Sequence, residues 1–190
     1  MRGGVRVSAF VVRPAVVADA PAIARVHWAS HHEVYVDTGR VARDAVEGWP
    51  MRDRILMWTA NAAISSGVYP PPEGFRMMGV RVAEVDGEIV GFASTSEPRA
   101  ADVSVSDVSA ADPDRPRPLS LDAIYVLEAH HGSGVGQALL DASIGDRPAF
   151  LWVLDDNPRA QAFYLRNRFA PDGTEKFDEF WKVQEVRWVR

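Results

Sequence analysis

The pattern of apolar and polar positions changes period several times along the chain. Ser8 to Pro14, SAFVVRP, is β-branched and stops at a proline, which predicts a first strand. In ADAPAIARVHWASHHEVYVDT, Ala18 to Thr38, the period becomes helical. Asp19 can cap this helix, Pro21 suits its first turn, and Ile23, Val26, His27, Ser30 and Val34 share one face. Trp28, His31, His32 and Tyr35 lie on an adjoining face. Arg40 to about Ile64 is again helical, punctuated by GWP at Gly48 to Pro50, and SSGVYPPPEG ends it. GVRVAEVDGEIVGFASTSEP, Gly79 to Pro98, predicts a hairpin turning at Asp86-Gly87.

Pro98 to Pro118 is rich in Asp, Ser, Ala and Pro and predicts a long, mobile loop. An EF-hand reading of its aspartates fails for want of the glycine and terminal glutamate, so no metal is expected. SLDAIYV then reads as a strand, GVGQALLDASI as a helix, PAFLWVL as a strand, DNPRAQAFYLRNRF as a helix, and EFWKVQEVRWV as a closing strand. The pattern predicts a mixed α/β fold with one mixed sheet and helices on both faces. Residues 1–190 form one domain in this reading, with a core of about 9–190 and a mobile loop of about 98–118.

Between a strand and a helix stands His130 to Gly136, HHGSGVG, with glycine at alternating positions. Backbone bare of side chains can bring several N–H groups against an anion, and a helix starting there adds its positive end. Such turns also occur with no ligand. A dinucleotide-binding fold would place glycine where Gln137 stands, although Asp155 falls at the spacing of a ribose carboxylate. Only about 55 residues follow the turn, too few for the further parallel strands of that fold. A P-loop would need a Gly-Lys-Ser/Thr that is missing.

Composition narrows the classes. The 190 residues carry a formal charge of −5 with no basic stripe, which argues against nucleic acid as a partner. There is no cysteine, so thiol nucleophiles, disulfides and Cys-ligated metals are excluded. The N-terminal MRGGVRVSAFVV is too short and interrupted for a signal peptide, and no apolar run approaches the roughly 20 residues of a membrane span. A cytoplasmic protein with no membrane partner is the expectation.

The run LDAIYVLEAHHGSGVGQALLDASI resembles the acyl-CoA-binding segment of the GNAT N-acetyltransferases, in which a strand splays from its neighbour and a Q/R-x-x-G-x-G/A turn opens a helix. LWVLDDNPRAQAFYLRNRF resembles the family's next strand and helix, including its Asn and Phe-Tyr pair. The match is sharp from about Leu119 to Gly173 and looser from Phe10 to Ser96. It implies a mostly antiparallel sheet of six to seven strands, splayed where acetyl-CoA binds. His131 stands where the family has Gln or Arg, so an imidazole replaces a fixed charge near the pyrophosphate. Arg168 stands where the family often has Gly, and Asn167 is expected to take the left-handed position instead.

The resemblance implies direct attack of an amine, from a small molecule or a peptide, on the acetyl thioester, with no covalent enzyme intermediate. Backbone N–H groups of Gly132, Ser133, Gly134, Val135, Gly136 and Gln137, with His131, would cradle the pyrophosphate. Tyr125, Val126 and Leu127 would pair with the pantetheine arm, and the N–H near Val126 would serve the oxyanion. Glu84 and Asp122 are the candidate proton acceptors, with His31, His32 and Glu33 as others. Asn157 reads as an N-cap and Pro158 as the first helical residue. Seven residues on, Tyr164 returns to the face of Asn157 as a donor to the departing thiolate, with Phe163 about 100° away in the core. Trp28, His31 and Tyr35 are the expected acceptor-pocket residues and His27 a core histidine. Trp152, Trp181 and Trp188 are assigned to the core or a dimer surface, and a homodimer is compatible with this. A catalytically silent acyl-CoA-binding domain and a nucleotide-binding oxidoreductase remain alternatives.

Overall fold

The computed structural model describes residues 9–98 and 119–190, so the predicted loop beyond Pro98 lies outside the described residues. The hairpin at Asp86-Gly87 forms the middle of the sheet. Phe75–Val85 (β2) pairs with Glu88–Pro98 (β3), and Asp86 at φ 50° helps close the turn. Phe10–Pro14 (β1) lies antiparallel on β2, and Leu119–Val126 (β4) antiparallel on β3. Ala149–Leu154 (β5) runs parallel to β4. Ala170–Asp178 (β6) and Val183–Val189 (β7) complete the order β1-β2-β3-β4-β5-β7-β6. β6, APDGTEKFD, escapes the sequence reading because an edge strand exposed on most positions has no apolar alternation to betray it.

Helices Ala20–His31 (α1), Arg43–Glu47 (α2) and Met51–Ser65 (α3) fall within the two stretches read as helical, and the last two part at Gly48-Trp49-Pro50. One π-helical turn, His32–Val36, extends α1. α1 and α3 cover one face of the sheet, burying Ile23, Val26 and Trp58 against Val80, Val82 and Phe92. Val135–Ser143 (α4) and Pro158–Arg166 (α5) cover the other, where Leu139, Leu140 and Tyr164 meet Val85, Leu121 and Leu151.

Two local expectations are corrected. Asp19 does not cap α1: its carboxylate accepts from the Val16 N–H at 2.8 Å and from Arg13 at 2.7 and 2.9 Å. The Arg13 hydrogen bond is the main reason its pKa is lowered. After α5, Arg168 rather than Asn167 takes the left-handed conformation, at φ 66°. Asn167 is held by hydrogen bonds, donating to the Phe163 carbonyl and accepting from Gln137.

Two bulges shape the middle of the sheet. The β2–β3 register passes from Ala83↔Gly91 to Glu84↔Ile89, leaving Val90 extra, and the β3–β4 register passes from Ser94↔Ala123 to Thr95↔Leu121, leaving Asp122 extra. β4 pairs with β5 only from Leu119 to Leu121, so the two strands part at the second bulge. At the first, Gly91 lets β4 come close, because a Cβ there would stand 2.9 Å from the Tyr125 carbonyl oxygen. Gly91→Ala should therefore lower unfolding free energy by about 1–3 kcal/mol in chemical denaturation. A normal midpoint would mean that β3 and β4 can move apart without cost.

Candidate functional site

Where β5 leaves β4, one edge of β4 has no strand partner among the described residues. Leu127 N–H donates to the Val90 carbonyl at 2.9 Å, so in an antiparallel ladder the amide groups of Ile124 and Val126 face the opposite side, toward the fork. The fork is the floor of a cleft of about 790 Å³ that reaches from the turn before α4 to the aromatic residues of α1.

At one end of the cleft, α4 begins at Gly134, whose φ of 90° suits glycine and which carries no capping side chain. The N–H groups of Val135, Gly136 and Gln137 therefore have no acceptor inside the helix and lie at its positive end. The Ser133 N–H is bonded to the His130 carbonyl, which narrows the expected cradle. A Cβ on Gly136 would meet Phe163 and Val126 at 3.8 Å, ordinary contact, so packing alone does not demand glycine there.

His131 Nε2 donates to the Val126 carbonyl at 2.8 Å, and its Nδ1 accepts from Arg159 Nη1 at 3.0 Å. The carbonyl can only accept and the guanidinium can only donate, so this is the arrangement of the neutral imidazole. Arg159 also pairs with Glu33. Arg40 makes a second bridge between the same two parts of the chain, to Asp156 at 2.7 Å and to the Val34 carbonyl at 2.9 Å.

The other end of the cleft is aromatic. Tyr35 stacks on Trp181 with centroids 5.5 Å apart, and His31 meets Trp181 edge-on at 5.0 Å. Trp58 donates to His27 Nδ1 at 3.1 Å, and the Tyr125 hydroxyl lies 3.5 Å from His31 Nε2. Arg54, fully buried, donates to the carbonyls of Trp49 and Val46 and lies 4.2 Å over the Trp49 ring. Burial pushes His27 down to about 3 and His31 to about 2, with Arg54 adding to both, and His27 adding to His31. Both rings are neutral at physiological pH, and so low a pKa makes His31 a weak base. Burial raises Tyr125 to about 12 and lifts Tyr164 as well, which keeps both phenols protonated.

Several expected residues meet in this cleft: Tyr125, Val126, His131, Gly132, Gly134, Gly136, Gln137, Asn157, Tyr164, Asp122, His31 and Tyr35 all line it. Asp122 receives a hydrogen bond from Ser96 at 2.9 Å. Asp122 is exposed on the cleft, and desolvation there raises its pKa against the opposing hydrogen bonds of Ser120 and Ser96. Asn157 is the N-cap of α5, accepting from Ala160 N–H at 3.1 Å.

Other candidates fall elsewhere. Glu84 does not line the cleft, and its carboxylate binds Arg13 at 3.1 Å on the far strands of the sheet. Trp28 is 38% exposed and packs on His32 outside it. Leu127 and Val135 pack in the core, and the Ser133 hydroxyl donates to the His130 carbonyl. Phe163 is only half-buried and walls the cleft, whereas Tyr164 is the more buried of the two. Trp152 and Trp181 also line the cleft rather than serving only the core; Trp188 alone of the three is a core residue. Trp49, Trp181 and Glu185 were not foreseen, because they come from a helix break, a turn and a distant strand with no common motif.

A family model described as the acetyltransferase (GNAT) family matches residues 40–169. A probable N-acetyltransferase of Mycobacterium tuberculosis is 35% identical over 66 residues; the match spans 33% of this chain and only 36% of that relative. Among solved structures, the PaiA N-acetyltransferase of Thermoplasma acidophilum in complex with coenzyme A superposes with a TM-score of 0.67 at 16% identity, over 94% of this chain and 98% of the other. A protein of Corynebacterium glutamicum described as histone acetyltransferase HPA2 and related acetyltransferase gives 0.57 at 25% identity, over 95% of both chains. Ribosomal-protein-alanine N-acetyltransferase of Brucella melitensis gives 0.60 at 19%, over 95% and 98%.

The buried histidines have a consequence for acid stability. Between about pH 6.5 and 3 the unfolded chain takes protons on His27 and His31 while the folded chain does not, so stability falls as pH drops through that window. Each ring should contribute a slope of up to about 1.4 kcal/mol per pH unit. Denaturant melts of the wild type and His27→Gln at pH 7 and 5 check this, and parallel losses in both would exclude His27 as a source.

Proposed function

Because the chain belongs to the GNAT acetyltransferase family, we propose that it transfers an acetyl group from acetyl-CoA to a primary amine of a small molecule or peptide, by direct attack with both substrates bound. The observation that carries this reading is the fork: an unpartnered strand edge, a bare helix start and a bulged carboxylate open into one cleft. The seven described strands share one sheet, which supports treating 1–190 as one domain.

The free edge of β4 at Ile124 and Val126 would hold the pantetheine arm as an added strand, with the orphan N–H groups of Val135, Gly136 and Gln137 on the pyrophosphate. The Val126 N–H is the group to stabilise the thioester oxygen as negative charge develops. His131 would keep the Val126 carbonyl from turning into the path of the donor. Asp122, at the fork, takes a proton from the acceptor's ammonium, directly or through a water, to free the amine that attacks, and the buried Tyr164 phenol donates to the leaving thiolate. The aromatic wall of Tyr35, Trp49 and Trp181, with Asp178 and Glu185 on the same cleft, supports a cationic amine as acceptor.

The decisive experiment is a screen of polyamines, amino acids, aminoglycosides and peptides for release of free CoA thiol from acetyl-CoA. Turnover with an amine supports the reading. Acetyl-CoA binding without turnover on any amine would favour a silent binding domain, and NAD binding without CoA binding an oxidoreductase.

Only ionised Asp122 can accept a proton, so the rate should fall as pH drops through its raised pKa, above the usual carboxylate value of about 4. Asp122→Asn should lower kcat by about 100-fold or more and remove that acid limb. It should not destabilise the fold at pH 7, because Asp122 is exposed on the cleft. An unchanged pH profile would reassign the base.

Tyr164→Phe should lower kcat about tenfold or more with little change in acetyl-CoA affinity. Full activity in a normally folded Phe variant would mean that water protonates the thiolate.

A further inference from the structure

At the proposed diphosphate site the first residue of the turn, His131, has no free donor to offer an anion. Its Nε2–H is committed to the Val126 carbonyl and its Nδ1 lone pair to Arg159. The helix start offers about half a unit of positive charge against a diphosphate that carries two negative ones.

We propose that Arg159, the second residue of α5, is the side chain that binds the diphosphate of acetyl-CoA, and that Glu33 is the counterion it gives up when the donor enters. This rests on the acetyl-transfer reading above. Arg159 lines the same cleft as Gly134, Gly136 and Gln137, and its guanidinium already lies against His131, the first residue of the turn. Its side chain is 57% exposed, so it is free to reorient, and its planar fork suits a phosphate as well as a carboxylate. An ion pair this open to water is weakly held, so Glu33 can be exchanged for a more highly charged partner. The exchange does not require the cleft to open, because Arg40 and Asp156 hold the two sides together independently. His131 then acts as a hinge stop: it accepts from Arg159 and keeps the guanidinium at the mouth of the turn.

The two members of the pair should act with opposite sign, which a merely structural salt bridge would not produce. Dissociation constants for CoA and acetyl-CoA are measured by calorimetry at two salt concentrations. Arg159→Gln should weaken both ligands by about tenfold or more and flatten the salt dependence, and Arg159→Lys should restore part of the loss. Glu33→Gln should tighten both ligands several-fold, since it removes the competitor. The melting temperature of each variant without ligand reports folding. Unchanged affinity in a folded Arg159→Gln protein, or weaker binding in Glu33→Gln, would overturn the assignment while leaving acetyl transfer intact. A wild-type protein that binds neither CoA nor acetyl-CoA would overturn both.

Discussion

Everything functional in this protein depends on one interrupted ladder. A parallel pair of strands that stays paired buries its amide groups, whereas β4 and β5 bond only from Leu119 to Leu121 and then separate. The unsatisfied edge that results would be costly in a closed core, so it must open to solvent or a ligand. Three devices keep it open. The bulge at Asp122 bends β4 where the pairing ends, the bulge at Val90 with Gly91 pulls the far end of β4 onto β3, and His131 occupies the Val126 carbonyl. The same bend that parts the strands also re-aims Asp122, so the carboxylate and the free edge arise from one distortion.

The two halves of the cleft are built on different physics. The α4 end is made of backbone and charge: bare N–H groups, a helix end and an exposed guanidinium, all wetted. The α1 end is made of buried rings, and its histidines stay neutral because burial outweighs their basicity. Arg54 adds to this. It is fully buried yet donates to the Trp49 and Val46 carbonyls, which fastens the α2–α3 corner against His31 and sets the position of Trp49. With the rings neutral, the charge near this wall is set by Asp178 and by Glu185, the latter paired with Lys176 at 3.1 Å.

This division explains what could be read from the sequence. The half with the glycine turn is contiguous: strand, turn, helix, strand and capped helix follow one another from Leu119 to Phe169, so local pattern and motif spacing suffice. The aromatic half is assembled from α1, the Gly48–Pro50 break, β5 and the β6–β7 turn, and no spacing links Trp49 to Trp181. Glu84 and Asp122 look alike in sequence, each a carboxylate on a strand of the sheet. What separates them is a register shift at Asp122 and an arginine on the neighbouring strand β1, Arg13, which binds Glu84 from 71 residues away in sequence. Phe163 and Tyr164 show the limit of helical-wheel reasoning, since the cleft cuts into the face that periodicity assigns to the core.

The charges across the cleft follow a single logic. The π-helical turn after α1 contributes Glu33, the next loop contributes Arg40, and the β5–α5 corner contributes Asp156 and Arg159, so each side presents one acid and one base to the other. Arg40 is mostly covered and also binds the Val34 carbonyl, which makes its bridge the fixed one. Arg159 is exposed, and of its two partners the Glu33 carboxylate is the one that phosphate oxygens would replace while His131 stays. The diphosphate binding proposed above needs one clasp that holds and one that yields. The histidine at position 131 suits the second kind, because an arginine in its place would crowd the Arg159 cation, whereas the neutral ring accepts from it and holds it ready.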